Sequence, residues 1–239
     1  MSKLNLIYKD QDILVINKEA GMLSIPDRYD PLKPNLHSLL EGKHGKVWTV
    51  HRLDKDTSGV ILFALNEQAH RALSMDFEDR KIDKIYHAFV HGKPPLEEGK
   101  IEVDLTKRQD GKMLVSTRGK RSVSYFRIKE SFQYHSLLEL KLLTGRTHQA
   151  RVHCQYLGCP LIVDSLYGGD EGFYVSSIKR NYSISKGKEE RPLISRTPLH
   201  AARLSIQHPQ SGEKHSFEAE WPKDLRALHN QLQKWSSVS

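Results

Sequence analysis

The sequence predicts an α+β fold: a large sheet, mainly antiparallel or mixed, with flanking helices. Three features point to it. Short apolar runs of strand length outnumber helical stretches, many of these runs are neighbours in sequence, and regular βαβ alternation is missing.

Asp12-Ile13-Leu14-Val15-Ile16-Asn17 reads as an early strand leading to a loop at Gly21. Val60 to Leu65 is a continuous apolar run, short enough for a strand buried on both faces. Asn66 fits the cap of a following helix in which Ala69, Ala72, Leu73, Asp76 and Phe77 share a face. Lys84 to His91 reads as a strand ended by Gly92, with Tyr86, Ala88 and Val90 on one side. From Ile101 to Leu143 the pattern is β-rich, and Leu138, Leu140 and Leu142 alternate with Glu139 and Lys141 as in a half-buried strand. Thr144-Gly145 breaks it. Thr147 fits an N-cap and Gly158 the end of the next helix. The stretch from about 169 to 197 is polar and without period, as expected of a surface insertion. Strands follow near Ala202 to Ile206 and Lys214 to Glu220. Pro222 suits the first position of a last helix, lined on one side by Leu225, Leu228, Leu232 and Trp235.

No repeat, heptad run or linker divides the chain, so residues 1–239 are expected to form one domain. Hydrophobic residues make up 38% and charged residues 28%, as in an ordinary globular protein. No apolar run reaches the roughly 18 residues of a membrane span, and the N-terminus has no signal-like core, so a cytoplasmic protein is expected. Two cysteines, Cys154 and Cys159, are too few for a disulfide framework and read as buried free thiols. The net charge of +8 suits a polyanionic partner. No zinc-ligand set, phosphate-cradling glycine loop or nucleophile elbow is present. An enzyme built on this chain is expected to work with side chains alone, with neither metal nor cofactor.

Three stretches carry candidate chemistry, the third being Pro198-Leu199-His200-Ala201-Ala202-Arg203-Leu204. His51-Arg52-Leu53-Asp54-Lys55-Asp56-Thr57-Ser58-Gly59 is polar and precedes a buried strand. An aspartate there serves as nucleophile, as general base, or simply as the cap of a turn. Thr144-Gly145-Arg146-Thr147-His148-Gln149-Ala150-Arg151-Val152-His153 places Arg146 before a helix, where a guanidinium holds a carboxylate, a phosphate or only water. Tyr86 reads as a core tyrosine or as a ring that stacks on an extruded base. Leu199 reads as a pocket wall or as ordinary core.

Taken together, these stretches resemble the RluA family of pseudouridine synthases, from about Leu6 to Trp221. The resemblance rests on the His51 to Gly59 signature, on Lys84-Ile85-Tyr86-His87-Ala88 with Gly92, and on Gly145 to His153. Asp164-Ser165-Leu166-Tyr167-Gly168 and Leu199-His200-Ala201 complete it. It implies a pseudouridine-synthase-like fold and an RNA isomerase that converts uridine to pseudouridine in rRNA or tRNA, probed against a catalytically silent RNA-binding relative and against an N-glycosidase. Asp54 is then the catalytic aspartate, Tyr86 the ring that packs on the uracil, and Arg146 the basic partner of the aspartate. Arg52 takes the flipped base's place, and His51, Thr57, His148, Arg151 and Leu199 contact RNA or base. Lys179, Arg180, Lys186, Lys188 and Arg191 are expected on phosphates. A single ionised carboxylate suffices, unlike the pair of a typical glycosidase, and the base must leave its stack to reach it. A monomer without an obligatory protein partner or an S4-like domain is expected. Two departures from the family stand out. Asn17-Lys18-Glu19-Ala20-Gly21 lacks the usual proline, implying a looser loop, and Ala150 replaces a common isoleucine, implying looser packing near Arg146.

Overall fold

The computed structural model describes residues 4–183 and 189–237. Lys186 and Lys188 lie outside the described residues. In chain order the elements are β1 (Asn5–Lys9), β2 (Ile13–Lys18), α1 (Leu36–His44), β3 (Trp48–Thr49), β4 (Ser58–Ala64), α2 (Glu67–Glu78) and β5 (Asp83–His91). Then come β6 (Glu98–Lys107), β7 (Met113–Val115), β8 (Lys120–Ser131), β9 (His135–Leu142), α3 (Gln149–Tyr156), β10 (Leu199–Gln207), β11 (Lys214–Glu218) and α4 (Lys223–Ser236). The chain condenses into two compact units, Met1–Tyr86 with His200–Glu220, and His87–Leu199 with Trp221–Ser239. The division falls inside β5 and at the start of β10.

In the first unit β2 is central to a sheet in the order β1-β2-β4-β10, with β11 beside β10 and β3 beside β4. β4 is buried at every position, as its unbroken apolar run predicts. It pairs antiparallel with β2 and parallel with β10. The parallel pair makes the sheet mixed. At that pairing Gly59 sits at φ 116°, and a Cβ there would lie 2.2 Å from the Ala201 carbonyl oxygen. Only glycine allows so close a backbone approach. Asn66 caps α2 as expected, accepting the Ala69 N–H at 2.8 Å, and Ala69 and Leu73 are buried on the face foreseen. α1 was not foreseen. It is short and contains Gly42, so its period is weak, but Asn35 caps it through the Ser38 N–H and Leu36 and Leu40 anchor it.

The second unit carries the antiparallel meander β6-β8-β9, with β7 on the outer side of β6. β9 keeps the alternation read from its leucines. α3 begins two residues after Thr147. Its N-cap position is His148, left-handed at φ 53° with no side-chain cap bond. Gly158 at φ 75° ends it, as expected. Ala150 is buried at 4% exposure. Pro222 is the N-cap of α4 rather than its first helical residue. Leu225, Leu228 and Leu232 join Phe89, Phe132 and Ile162 in the core, whereas Trp235 stays 38% exposed instead of lining the inner side. The polar stretch is more than a surface insertion. Phe173 and Ile194 within it bridge to each other and are buried in the same core. Both cysteines are free and buried.

Candidate active site

In the first unit, the loop bearing Asp54 is clamped on both sides of that residue. The Ser24 hydroxyl donates to the Leu53 carbonyl at 2.8 Å and accepts the Leu53 N–H at 3.1 Å. The Lys55 carbonyl accepts the Gly21 N–H at 2.9 Å and the Lys18 ammonium at 3.0 Å. That ammonium also donates to the carbonyls of Met22 at 2.7 Å and Glu19 at 3.0 Å. Lys18 is only 1% exposed. A buried ammonium needs such partners, and three carbonyls give it them. The missing proline therefore does not leave this loop loose: Lys18 ties it to the loop of Asp54. The Asp54 carbonyl then accepts the Thr57 N–H at 3.1 Å, closing a turn over Lys55 and Asp56.

His51 takes a structural place. Its Nε2 accepts the Leu62 N–H at 3.0 Å, and its ring stacks on Phe77 at 4.8 Å. Burial, helped by the nearby Lys84 charge, holds its pKa down at about 3, so it is neutral. Thr57 is buried. Half-buried His51 and buried Thr57 therefore both help to build the loop. Ser58 and His200 join the motifs: Ser58 Oγ lies 2.9 Å from His200 Nδ1, and His200 Nε2 donates to the Ala219 carbonyl at 3.0 Å. Arg52 is exposed and Asp54 is partly exposed.

Tyr86, on β5, is buried. Its phenol is pushed well above the ordinary tyrosine pKa, first by burial and then by the Asp54 carboxylate. Asp54 and Tyr86 are therefore electrostatic neighbours within one unit. Lys84, two residues earlier, lies over the Phe77 ring at 5.8 Å. Burial, with Arg80 adding repulsion, lowers its pKa to about 8, which leaves it mostly charged at neutral pH.

In the second unit, buried Gln149 holds the turn of Arg146. Its Oε1 accepts the Arg146 N–H at 3.0 Å and the Thr144 hydroxyl at 2.6 Å. Its Nε2 donates to the Val123 carbonyl at 3.1 Å and to Ser124 Oγ at 3.0 Å. The Arg146 Nε reaches the Arg121 carbonyl at 3.3 Å. Arg151, expected on RNA, is instead used inside the protein. It forms a bidentate pair with Asp164, both bonds at 2.7 Å, and its guanidinium lies over the Tyr167 ring at 4.8 Å. His148 is also engaged internally. The fully buried Tyr167 hydroxyl accepts the Met113 N–H at 3.0 Å and lies 2.9 Å from His148 Nδ1. Leu199 is buried.

Lys18, Ser24, Gln149, Asp164 and Tyr167 are the supporting residues that the sequence reading assigned no role. Gln149, Asp164 and Tyr167 stand in motifs that the sequence shows, whereas a lysine at the end of an apolar run was the signal for Lys18, and it is ambiguous without coordinates. Among the described residues one acid–histidine group has metal-ligand proximity, Asp10, Asp12 and His208. It is satisfied internally. His208 Nδ1 accepts the Ser211 N–H at 3.2 Å, and Nε2 donates to Asp10 at 2.9 Å.

A profile of the RNA pseudouridylate synthase family matches residues 12–156. The chain is 34% identical to ribosomal large subunit pseudouridine synthase D of Zymomonas mobilis, over 96% of this chain and 73% of that one. It is 35% identical to the uncharacterized RNA pseudouridine synthase YlyB of Bacillus subtilis, over 97% of this chain and 73% of that one. Among solved structures, human RNA pseudouridylate synthase domain containing 4 superimposes with a TM-score of 0.71 at 23% identity, covering 96% of this chain and 93% of its own. Domain containing 1 of the same human series gives 0.69 at 27% identity, covering 92% and 84%.

Proposed function

The chain belongs to the RNA pseudouridylate synthase family and is an RNA pseudouridine synthase, and on that premise we propose that Asp54 is the residue that attacks or stabilises the target sugar. The observation that carries this reading is the clamped turn. The carbonyl and N–H of Leu53 and the carbonyl of Lys55 are all bonded to other parts of the first unit, so the side chain between them is presented from a fixed backbone. Fixed placement of the reacting group removes much of the entropic cost of the encounter.

The isomerisation breaks the bond between uracil N1 and the sugar C1′ and forms a bond from C5 to the same carbon. One carboxylate serves it, either by adding to C1′ or by assisting loss of the C2′ proton. Tyr86 then packs on the detached uracil while it turns. Its phenol, kept protonated beside Asp54, donates a hydrogen bond and does not act as a base at neutral pH. The C5 proton leaves to another acceptor, water or the carboxylate. Arg146, whose N–H is held by Gln149 Oε1, is the basic residue that the second unit contributes to the reading. Arg52, exposed beside Leu53, fills the space the flipped base leaves, offsetting part of an unstacking cost of a few kcal/mol.

Ribosomal RNA of the large subunit is the proposed substrate, because relatives at about the same identity carry that name. The test is tritium release from [5-³H]uridine-labelled large-subunit RNA. Asp54→Asn should abolish release while leaving RNA binding and thermal stability intact. Turnover at the normal rate would refute the role of Asp54, and free uracil among the products would indicate an N-glycosidase.

A further inference from the structure

Trp235 is a large aromatic ring left exposed on α4, and two cations occupy it. The Lys179 ammonium lies 4.7 Å from the ring centroid and that of Lys234 lies 5.0 Å from it. Lys179 also lies 5.7 Å from the exposed Tyr182 ring. Neighbouring Arg180 is exposed and adds a third charge. Among the described residues no carboxylate pairs with Lys179, Arg180 or Lys234. Glu190, on the same insertion, accepts the Ser176 N–H at 3.0 Å.

The framework under these charges is fixed. The Ser236 carbonyl, next to Trp235, accepts the Gln133 N–H at 2.7 Å, and Ser237 bridges to Phe132. The Lys179 N–H bonds the Val175 carbonyl at 2.9 Å, and Ile178 packs on the core. Two flexible lysines drawn to one ring by cation–π attraction lose rotamer freedom before any ligand arrives. Like charges held together without an acid repel each other, and an anion relieves that repulsion.

We propose that Lys179 and Lys234, seated on Trp235, form a phosphate-binding patch of the second unit that holds the backbone of the RNA substrate. With both ammoniums on the ring, the patch reads phosphates rather than bases, so it adds affinity without sequence preference. It rests on the RNA substrate of the family and not on the role of Asp54.

The test compares the full-length protein with Lys179→Gln/Lys234→Gln, by titrating a fluorescein-labelled stem-loop RNA across a salt series. Loss of two phosphate contacts should raise Kd roughly tenfold or more at about 0.1 M salt and lower the slope of log K against log salt by roughly one to two. Trp235→Ala, which keeps both charges but removes their platform, should raise Kd by a smaller factor. The single-turnover rate at saturating RNA should not change. An unchanged Kd and slope would overturn the proposal, and so would an equal change in Lys43→Gln/Lys214→Gln, which neutralises two exposed lysines of the first unit. If the unaltered protein released no tritium, the reading of Asp54 would fail while the salt series still decided the patch.

Discussion

The Asp54 carboxylate and the buried Tyr86 phenol are electrostatic neighbours within the first unit, and the carboxylate adds to burial in keeping that phenol protonated. A tyrosine in that state is a donor and a packing surface. Tyr86→Phe should therefore keep turnover within about tenfold, below the roughly hundredfold lower end of a general acid–base contribution. Tyr86→Leu, which removes the flat ring, should lose far more. The pH–rate profile of the unaltered enzyme should show no basic limb from Tyr86 below pH about 10, the ordinary tyrosine value. A large loss in Tyr86→Phe would instead make the hydroxyl a participant in proton transfer.

Lys18 joins two loops that are far apart in sequence, bonding Glu19 and Met22 on one and Lys55 on the other. Lys18→Met should lower stability by about 2–4 kcal/mol, since buried carbonyls lose charged partners. At a temperature where the variant remains folded, kcat should fall more than KM rises, because the turn of Asp54 loses its anchor. Ser24→Ala should cost about 1–3 kcal/mol for leaving the Leu53 N–H and carbonyl without that hydroxyl. Thermal unfolding and steady-state tritium release measure both.

Arg151 and Asp164 form a buried, bidentate pair with side chains 10% and 0% exposed. Asp164→Asn leaves a buried cation without its counter-charge and should destabilise by about 3–5 kcal/mol. RNA affinity of the folded variant should be unchanged. A drop in affinity with normal stability would restore Arg151 to the RNA-contacting role expected from the motif.

Acid should weaken the fold through buried histidines. Burial holds His51 at about 3 and holds His135 and His153 at about 4, each below the ordinary 6.5. His153 Nε2 meets the Ser122 hydroxyl at 2.8 Å, while its Nδ1 is buried without a partner. Between pH 6.5 and 4 the unfolded chain binds these protons and the native protein does not, so stability is full above 6.5 and falls as pH drops. Each group contributes about 1.4 kcal/mol per pH unit within its window. His153→Gln should make the stability curve between pH 6 and 4.5 shallower by about one proton, measured by urea unfolding.

The sequence by itself determined the elements whose cause is local. The apolar run of β4, the alternation in β9, the Asn66 cap and the left-handed Gly158 all follow from side-chain period and backbone preference within a few residues. It also singled out Asp54, Tyr86 and Arg146 through motifs whose order and spacing are legible in one dimension. Tertiary structure alone decided which motif residues face inward. Whether His51 meets RNA or the Leu62 N–H, and whether Arg151 meets phosphate or Asp164, depends on partners that spacing does not reveal. The same holds for Lys18, whose charge is satisfied by a carbonyl 37 residues away, and for Trp235, which helical period places among buried leucines but the fold leaves outside. A buried charge or ring is settled by where the chain returns to meet it, and that return is set by the packing of the whole unit rather than by the residues beside it.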